Sequence, residues 1–161
     1  MAVLLLVGTL TFAGVLPFPF NKGFSRPAAE TVLVPCPVED ASAADASTIT
    51  VRIFNGNGTE GLASSVSSAL TNTGVVVSET TNWAGAEVKD AVRIYTGKAG
   101  ITNAYTLRSY FPDATIVFDG TNATAVVEVV LGAEYKSMVA KPTEAQRTAA
   151  MEPLPKCEDA E

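Results

Sequence analysis

The middle of the chain shows two hydrophobic periods in succession. At residues 48–54 every second side chain is aliphatic, which predicts a β-strand that turns one face toward a core. From Leu62 to about Asn72 apolar side chains recur every three or four residues, which predicts an amphipathic helix. Three glycines separate the two patterns, and we expect Thr59 to cap the helix at its start and Gly74 to end it.

The same succession of strand and helix recurs toward the C-terminus. Further strands are predicted at 75–78, 91–96, 114–118 and 125–131, and a second helix at 98–111. The strand at 75–78 is expected to be buried, whereas residues 79–89 are expected to be irregular. The resulting order, β-α-β-β-α-β-β, predicts an α/β fold, a single open α/β sandwich with its helices on one face of the sheet.

An apolar segment of a different kind occupies residues 1–20, and the first charged side chain of the chain is Lys22. About fifteen residues precede the first proline, whereas a bilayer span takes roughly 20, so we expect Pro17–Phe20 to complete a transmembrane anchor. A buried helix of a cytosolic protein and a cleaved signal peptide are the alternatives. Lys22 and Arg26 follow the segment and favour the opposite orientation, so we expect the natural start to lie upstream.

The flanks of the domain at 48–135 each hold one cysteine. Residues 21–47, rich in Pro, Ala, Ser and Asp, are predicted to be a linker that contains Cys36. Residues 136–161 are predicted to form a short helix near 143–151 and a tail that contains Cys157. Export would make a Cys36–Cys157 disulfide the natural state, closing a loop of about 120 residues. Two free thiols in disordered tails are the alternative.

Charge and residue types argue against several classes of function. The net charge is −6 and the cations are scattered, which disfavours nucleic acid as a partner. The chain has no histidine, the commonest general base and metal ligand, and its cysteines lack metal-binding spacing. Glu87, Asp90 and Glu128 are not spaced as a glycosidase pair, and the serines at 64–68 have no base. We therefore expect no catalytic residues, no metal and no cofactor.

Five short motifs follow one another between residues 48 and 135. Asn-Gly-x-Gly and Gly-Leu-Ala stand within Asn55–Ala63, Gly-Val at Gly74-Val75, an aliphatic-x-aliphatic-Tyr element at Val92–Tyr95, and Leu-Gly-x-Glu-Tyr at Leu131–Tyr135. The ordered set resembles the LytR C-terminal domain family (LytR_C). The resemblance covers just over half of the chain.

This resemblance implies a cell-envelope domain of Gram-positive bacteria, especially actinobacteria. The family domain often follows a LytR-CpsA-Psr catalytic domain, which transfers glycopolymers to peptidoglycan, and it also occurs alone behind one membrane anchor. The second architecture matches this chain. No stretch here could supply the catalytic domain's pyrophosphate site, so the transferase activity is not carried over.

The loop between the first strand and the first helix is the main candidate site. Its glycines let backbone N–H groups converge at a helix N-terminus, where an anion or a carbohydrate hydroxyl could bind. The alternative is a tight turn held by capping side chains. Trp83 is expected to be the most exposed aromatic residue, and Tyr95, Tyr105 and Tyr110 either join it in a sugar-stacking surface or belong to the core. The candidate binding residues are Asn55, Gly56, Asn57, Gly58, Thr59, Gly61 and Trp83.

We therefore expect a non-catalytic envelope module on the extracytoplasmic side of the cell membrane, with the N-terminal segment as its single-pass anchor. Its expected partner is peptidoglycan, an attached glycopolymer or an envelope-assembly protein. A protein–protein adaptor without wall affinity is the alternative, and a wall-active enzyme a remote one.

Overall fold

The computed structural model describes residues 32–160. Within them the strands are β1 (Thr50–Asn55), β2 (Val76–Asn82), β3 (Val92–Thr96), β4 (Ala114–Phe118) and β5 (Val127–Leu131). The helices are α1 (Leu62–Thr71), α2 (Ile101–Leu107) and α3 (Glu144–Ala150). The first seven elements follow the predicted order.

The anchor predicted at residues 1–20 lies outside the described residues. Among residues 32–160, no helix combines the length and the apolar character that crossing a membrane requires.

The five strands form one mixed sheet in the order β2-β1-β5-β3-β4. β1 is parallel to β2 and β5, whereas β3 is parallel to β4 and antiparallel to β5. Two βαβ units, β1-α1-β2 and β3-α2-β4, therefore run in opposite directions and step outward from the central β5. Because such crossovers are almost always right-handed, two units arranged in this way place their helices on the same face.

The core confirms the predicted α/β fold. Helices α1 and α2 both pack on the same face of the sheet. Alternate side chains of β1, β3, β4 and β5 pack with α1 and α2 in a single cluster that includes Val51, Ile53, Ile94, Ile116, Val129, Val66, Leu70, Ala104 and Leu107. The opposite face holds a smaller cluster of Phe54, Val88 and Val130, with Trp83 and Tyr95 packed against it. No helix contributes to that second cluster, so the loop between β2 and β3 covers this part of the sheet.

Strand β2 differs most from its prediction. It continues to Asn82, through residues expected to be irregular, and its side chains are mostly exposed instead of buried. Its place at the edge of the sheet explains both corrections, because an edge strand needs no apolar run and Thr80 and Thr81 favour extended backbone. The register also shifts opposite Val51, where the Ser78 hydroxyl donates to the Val51 carbonyl over 3.1 Å.

The helix ends differ from the predictions in two places. Gly61, with φ 75°, stands at the N-cap of α1, so the predicted cap at Thr59 is wrong, whereas Gly74, with φ 97°, follows the helix as expected. Helix α2 is shorter than predicted at both ends, because Lys98–Gly100 form a 3-10 turn before it and the chain leaves the helix for a turn after Leu107. Gly100 permits that turn, since a Cβ there would lie 2.6 Å from the hydroxyl oxygen of Thr96.

Helix α3 lies where the short C-terminal helix was predicted. Thr143 is its N-cap and forms a capping box with Gln146. At its other end the Arg108 guanidinium donates to the Ala150 carbonyl over 2.8 Å and to the Glu152 carbonyl over 3.2 Å. Burial lowers the pKa of Arg108. A cation at the C-terminal carbonyls favours the helix dipole, so Arg108 fastens α3 to the domain.

Cys36 and Cys157 form the predicted disulfide, with their Cα atoms 4.8 Å apart. Around it, the N–H of Cys36 donates to the carbonyl of Glu158 over 3.0 Å, and the N–H of Glu158 donates to the carbonyl of Val34 over 2.9 Å. The disulfide and these two hydrogen bonds form a clip, defined here as residues 33–36 joined to 157–158.

The segment before β1 is also fastened to the domain itself. The Phe118 N–H donates to the Leu33 carbonyl over 2.8 Å, and the buried Tyr105 hydroxyl donates to the Pro35 carbonyl over 2.8 Å. Residues 32–47 thus differ from the unstructured linker expected there. Hydrogen bonds to α2 and to β4, rather than a hydrophobic period, hold this segment.

Candidate functional site

The Asn-Gly-x-Gly loop after β1 and the Leu-Gly-x-Glu-Tyr motif at the end of β5 meet at one end of the sheet. Strands β1, β2 and β5 end there, whereas β3 and β4 begin there. The Gly56 N–H donates to the Leu131 carbonyl over 2.8 Å, and a Cβ on Gly56 would lie 2.8 Å from that same oxygen. Ligands of open α/β sheets commonly bind beyond the carboxyl ends of the strands, so a binding site is expected at this end of the sheet.

The Asn55–Gly61 loop is held mainly by its own asparagines. The Asn55 amide donates to the Thr59 carbonyl over 2.7 Å, and its oxygen accepts from the N–H of Asn57 over 3.3 Å. The Asn57 amide oxygen in turn accepts from the N–H of Thr59 over 2.8 Å. These contacts are those of a structural turn, so the side chains of Asn55 and Asn57 shape the loop instead of reaching toward a ligand.

We expect Asn55→Ala to lower the free energy of unfolding by about 1 kcal/mol, because it removes two hydrogen bonds within a partly exposed loop. Asn82→Ala, an exposed amide on the neighbouring strand, is the matched control and is expected to leave stability within about 0.5 kcal/mol. Urea unfolding of both variants measures the difference. Equal stabilities would mean that Asn55 does not hold the loop.

Trp83 is half-buried and tightly packed. Its indole stacks on Tyr95 with centroids 5.5 Å apart and meets Phe54 edge-on at 5.5 Å. Its ring N–H donates to the Ala86 carbonyl over 2.8 Å. A Cβ on Gly85 would come within 2.5 Å of the indole, so this glycine lets the loop close over the ring. Trp83 therefore anchors the loop, and only part of its surface remains accessible.

The four aromatic residues considered as a sugar-stacking surface do not come together. Tyr105 and Tyr110 are buried in the main core with α2, whereas Trp83 and Tyr95 pack against the opposite face of the sheet. Their separation follows from the strand alternation, which sends Tyr95 to the face without helices.

A groove runs along the carboxyl ends of β1 and β2. Its larger part has a volume of about 730 Å³ and is lined by Asn55, Gly56, Gly58, Glu60, Gly61, Asn82, Trp83, Gly85 and Glu87. Its smaller part, about 320 Å³, is lined by Asn55, Gly61, Ala63, Ser64, Thr80, Thr81 and Asn82. The two parts adjoin at Asn55, Gly61 and Asn82, which line both, and together they are named the groove.

Six of the seven predicted binding residues lie in the Asn55–Gly61 loop. The groove is lined by Asn55 and the three glycines of that loop but not by Asn57 and Thr59. Sequence reasoning missed Asn82 and Gly85, together with the threonines of β2. The signal for them was weak, because residues 79–82 were not recognised as a strand that runs beside β1.

A second depression, of about 910 Å³, lies at the same end of the sheet. It is lined by Asp90, Ala91, Val92, Phe111, Pro112, Asp113, Thr115, Ala133, Glu134, Tyr135, Lys136 and Ser137. The Leu-Gly-x-Glu-Tyr motif thus ends in its wall. Burial raises the pKa of Tyr135. Three carboxylates face one lysine among its lining residues, so both depressions are more acidic than basic.

Two of the three carboxylates considered as catalytic candidates, Asp90 and Glu128, form ion pairs with two different arginines. Glu128 pairs with Arg52 over 2.8 Å, and Glu79 pairs with the same guanidinium over 2.7 Å. Asp90 pairs with Arg93 over 2.8 Å, while Glu87 lies in the groove wall. In residues 32–160 no three side chains of the metal-binding types come close enough together to hold an ion.

Comparison with known proteins gives a fold and a family. The structure is similar to the crystal structure of the soluble domain of a conserved hypothetical secreted protein from Mycobacterium marinum, with a TM-score of 0.59. The sequences are 20% identical, and the match covers 70% of this chain and 88% of that chain. No curated protein matches the sequence. The model of the family described as LytR cell envelope-related transcriptional attenuator (LytR_C) matches residues 48–135. The match confirms the resemblance in its position and extent, and the chain belongs to the LytR_C family.

Proposed function

We propose that the protein is a non-catalytic module of the cell envelope that binds peptidoglycan or the glycopolymers attached to it and supports envelope integrity. The groove at the end of the sheet is the observation that carries this proposal. It joins the Asn-Gly-x-Gly loop to the end of an edge strand, where the exposed Thr80, Thr81 and Asn82 present hydroxyls and an amide. Such uncharged donors and acceptors suit the hydroxyl and amide groups of a wall polymer.

The compartment proposed for this module is the extracytoplasmic side of the membrane, with residues 1–20 as a single-pass anchor. The Cys36–Cys157 bond supports it, because disulfides persist in oxidising compartments. The secreted origin of the Mycobacterium marinum relative is consistent with the same location.

The absence of catalysis is part of this proposal and is supported by the use of the carboxylates. Asp90 and Glu128 each form an ion pair with an arginine at 2.8 Å, so both carboxylates already have a partner within the domain. A glycosidase of the usual kind needs one carboxylic acid and one carboxylate on opposite sides of the scissile bond.

A protein–protein adaptor is the second candidate. Strand β2 favours it, because this strand is an edge of the sheet and Val76 is 47% exposed. Edge strands accept further strands from other chains through their free backbone groups.

Co-sedimentation of the full chain, in detergent and with the disulfide formed, tests wall binding against purified actinobacterial sacculi. We expect saturable binding that weakens roughly tenfold in the double variant Asn82→Ala/Ser64→Ala, because it removes two polar groups of the groove. The double variant Ser65→Ala/Thr148→Ala, exposed and outside the groove, should bind as the parent does. No binding by the folded, oxidised chain would exclude wall affinity and favour the adaptor.

A further inference from the structure

The charges around the groove limit what it can bind. Glu60 and Glu87 line it, and neither a lysine nor an arginine does so within the described chain. The partial positive charge of the α1 N-terminus, about half an elementary charge, opposes two full negative charges. The groove is therefore negative overall, and an anionic ligand would be repelled.

Arg52 of β1 does not change the negative charge of the groove. The Arg52 guanidinium is engaged by the carboxylates of Glu79 and Glu128, and it lies 5.4 Å from the centre of the Phe54 ring. Its charge is thus already matched by two carboxylates on the open face of the sheet.

The uncharged lining describes the ligand more closely. Asn82, Thr80, Thr81 and Ser64 present exposed amide and hydroxyl groups along the smaller part of the groove. No side chain caps α1, so backbone N–H groups of its first turn have no partner within the helix. Amides and hydroxyls both donate and accept hydrogen bonds, and sugar hydroxyls do the same.

We propose that the groove binds an uncharged glycan chain and discriminates against wall polymers that carry phosphate or carboxylate groups. This inference rests on the proposed wall-binding function and specifies the ligand class of the same site. Glu60 and Glu87 provide the discrimination by repulsion, while the amides and hydroxyls of the groove provide the binding.

The single tryptophan of the chain is a built-in reporter for this test, because Trp83 lines the groove. Glycan fragments released enzymatically from actinobacterial sacculi are separated by anion exchange into a neutral and an anionic pool. Each pool is titrated at low salt into the full-length oxidised chain in detergent, and Trp83 emission is recorded. We expect a saturable change with the neutral pool and at least fivefold weaker binding of the anionic pool.

The variant Glu60→Gln/Glu87→Gln keeps the shape of the groove and removes its charge. We expect it to bind the anionic pool at least threefold more tightly than the parent does, with little change for the neutral pool. Lys98→Gln, a change of one charge at an exposed position outside the groove, is the control.

The outcomes separate this inference from the function on which it rests. Failure to bind sacculi overturns the proposed function. Binding of sacculi together with equal or tighter binding of the anionic pool overturns the ligand class alone. Binding of sacculi with no change in Trp83 emission for either pool places the ligand elsewhere on the domain and also overturns the inference.

Discussion

Replacing both cysteines with serine is expected to lower the free energy of unfolding by up to about 4–5 kcal/mol. The bond joins residues separated by 121 positions, and its loss releases the loop-closure entropy that the disulfide removes from the unfolded chain. Only a few backbone hydrogen bonds otherwise hold residues 33–36 to 157–158. Because the net stability of a small domain is about 5–15 kcal/mol, this change would leave the fold marginal.

Urea unfolding of the oxidised parent, the reduced parent and Cys36→Ser/Cys157→Ser measures the effect. The reduced parent and the double variant should agree, since both lack the bond and keep the same side-chain volume. Hydrogen exchange should show that residues 33–36 and 157–158 lose protection before the strands do. A loss below about 1 kcal/mol would contradict the prediction and show that the clip is held by its hydrogen bonds and packing.

The second large effect is expected from Gly132→Ala, which should lower the free energy of unfolding by about 2–3 kcal/mol. A Cβ at this buried position would lie 2.1 Å from the Asp90 carbonyl oxygen and 2.7 Å from the Val88 carbonyl oxygen. Both obstacles are backbone, so the segment at 88–90 must move to make room. That movement would withdraw the fully buried Val88 from the cluster beneath Trp83.

Gly120→Ala is the matched control, because a Cβ there would lie 3.6 Å from the Phe118 ring, an ordinary contact. We expect it to change stability by less than about 0.5 kcal/mol. Thermal or urea unfolding gives the energies, and Trp83 emission should shift to longer wavelength in folded Gly132→Ala only. Unchanged stability and emission in that variant would show that the 88–90 segment adapts without cost.

The central elements could be predicted because one physical signal dominates them. In β4 the pattern Ala-Thr-Ile-Val-Phe gives both the strand and its bounds, since a strand packed under a helix must alternate. The amphipathic pattern after Leu62 does the same for α1. The family resemblance drew on β1, α1, β3 and the end of β5 with the glycines beside them, and it was confirmed over residues 48–135.

The remaining features depend on contacts that a local pattern does not contain. Strand β2 extends to Asn82 because β1 lies beside it, and its exposed threonines look like loop residues in the sequence. Gly61 replaces Thr59 as the N-cap because the chain enters α1 through a left-handed conformation, φ 75°, which glycine adopts without strain. Residues 32–47 have no hydrophobic period, yet Tyr105, Thr106 and Phe118 supply their hydrogen-bond partners from far along the chain.

In the candidate site, too, some features could be predicted from local sequence and others depend on distant contacts. The glycine loop could be identified from its composition, whereas the groove needs Asn82 and the β2 threonines to complete its wall. Trp83 lines the groove beside the loop's glycines, and its stacking on Tyr95 and the close approach of Gly85 depend on the fold of the 83–90 segment.

The clip also determines how the domain bears mechanical load. Tension applied between the two ends of the chain would pass from Cys36 directly to Cys157 and bypass the covalent loop between them. The sheet and its helices would then carry none of that force, and the end-to-end extension could not grow by unravelling the domain. Tension between the N-terminal end and a ligand in the groove would take another path, entering at Cys36 and crossing the packed layers to β1 and β2. The same covalent bond therefore makes the fold insensitive to one direction of pulling and leaves it responsive to the direction that a tethered binding module would experience.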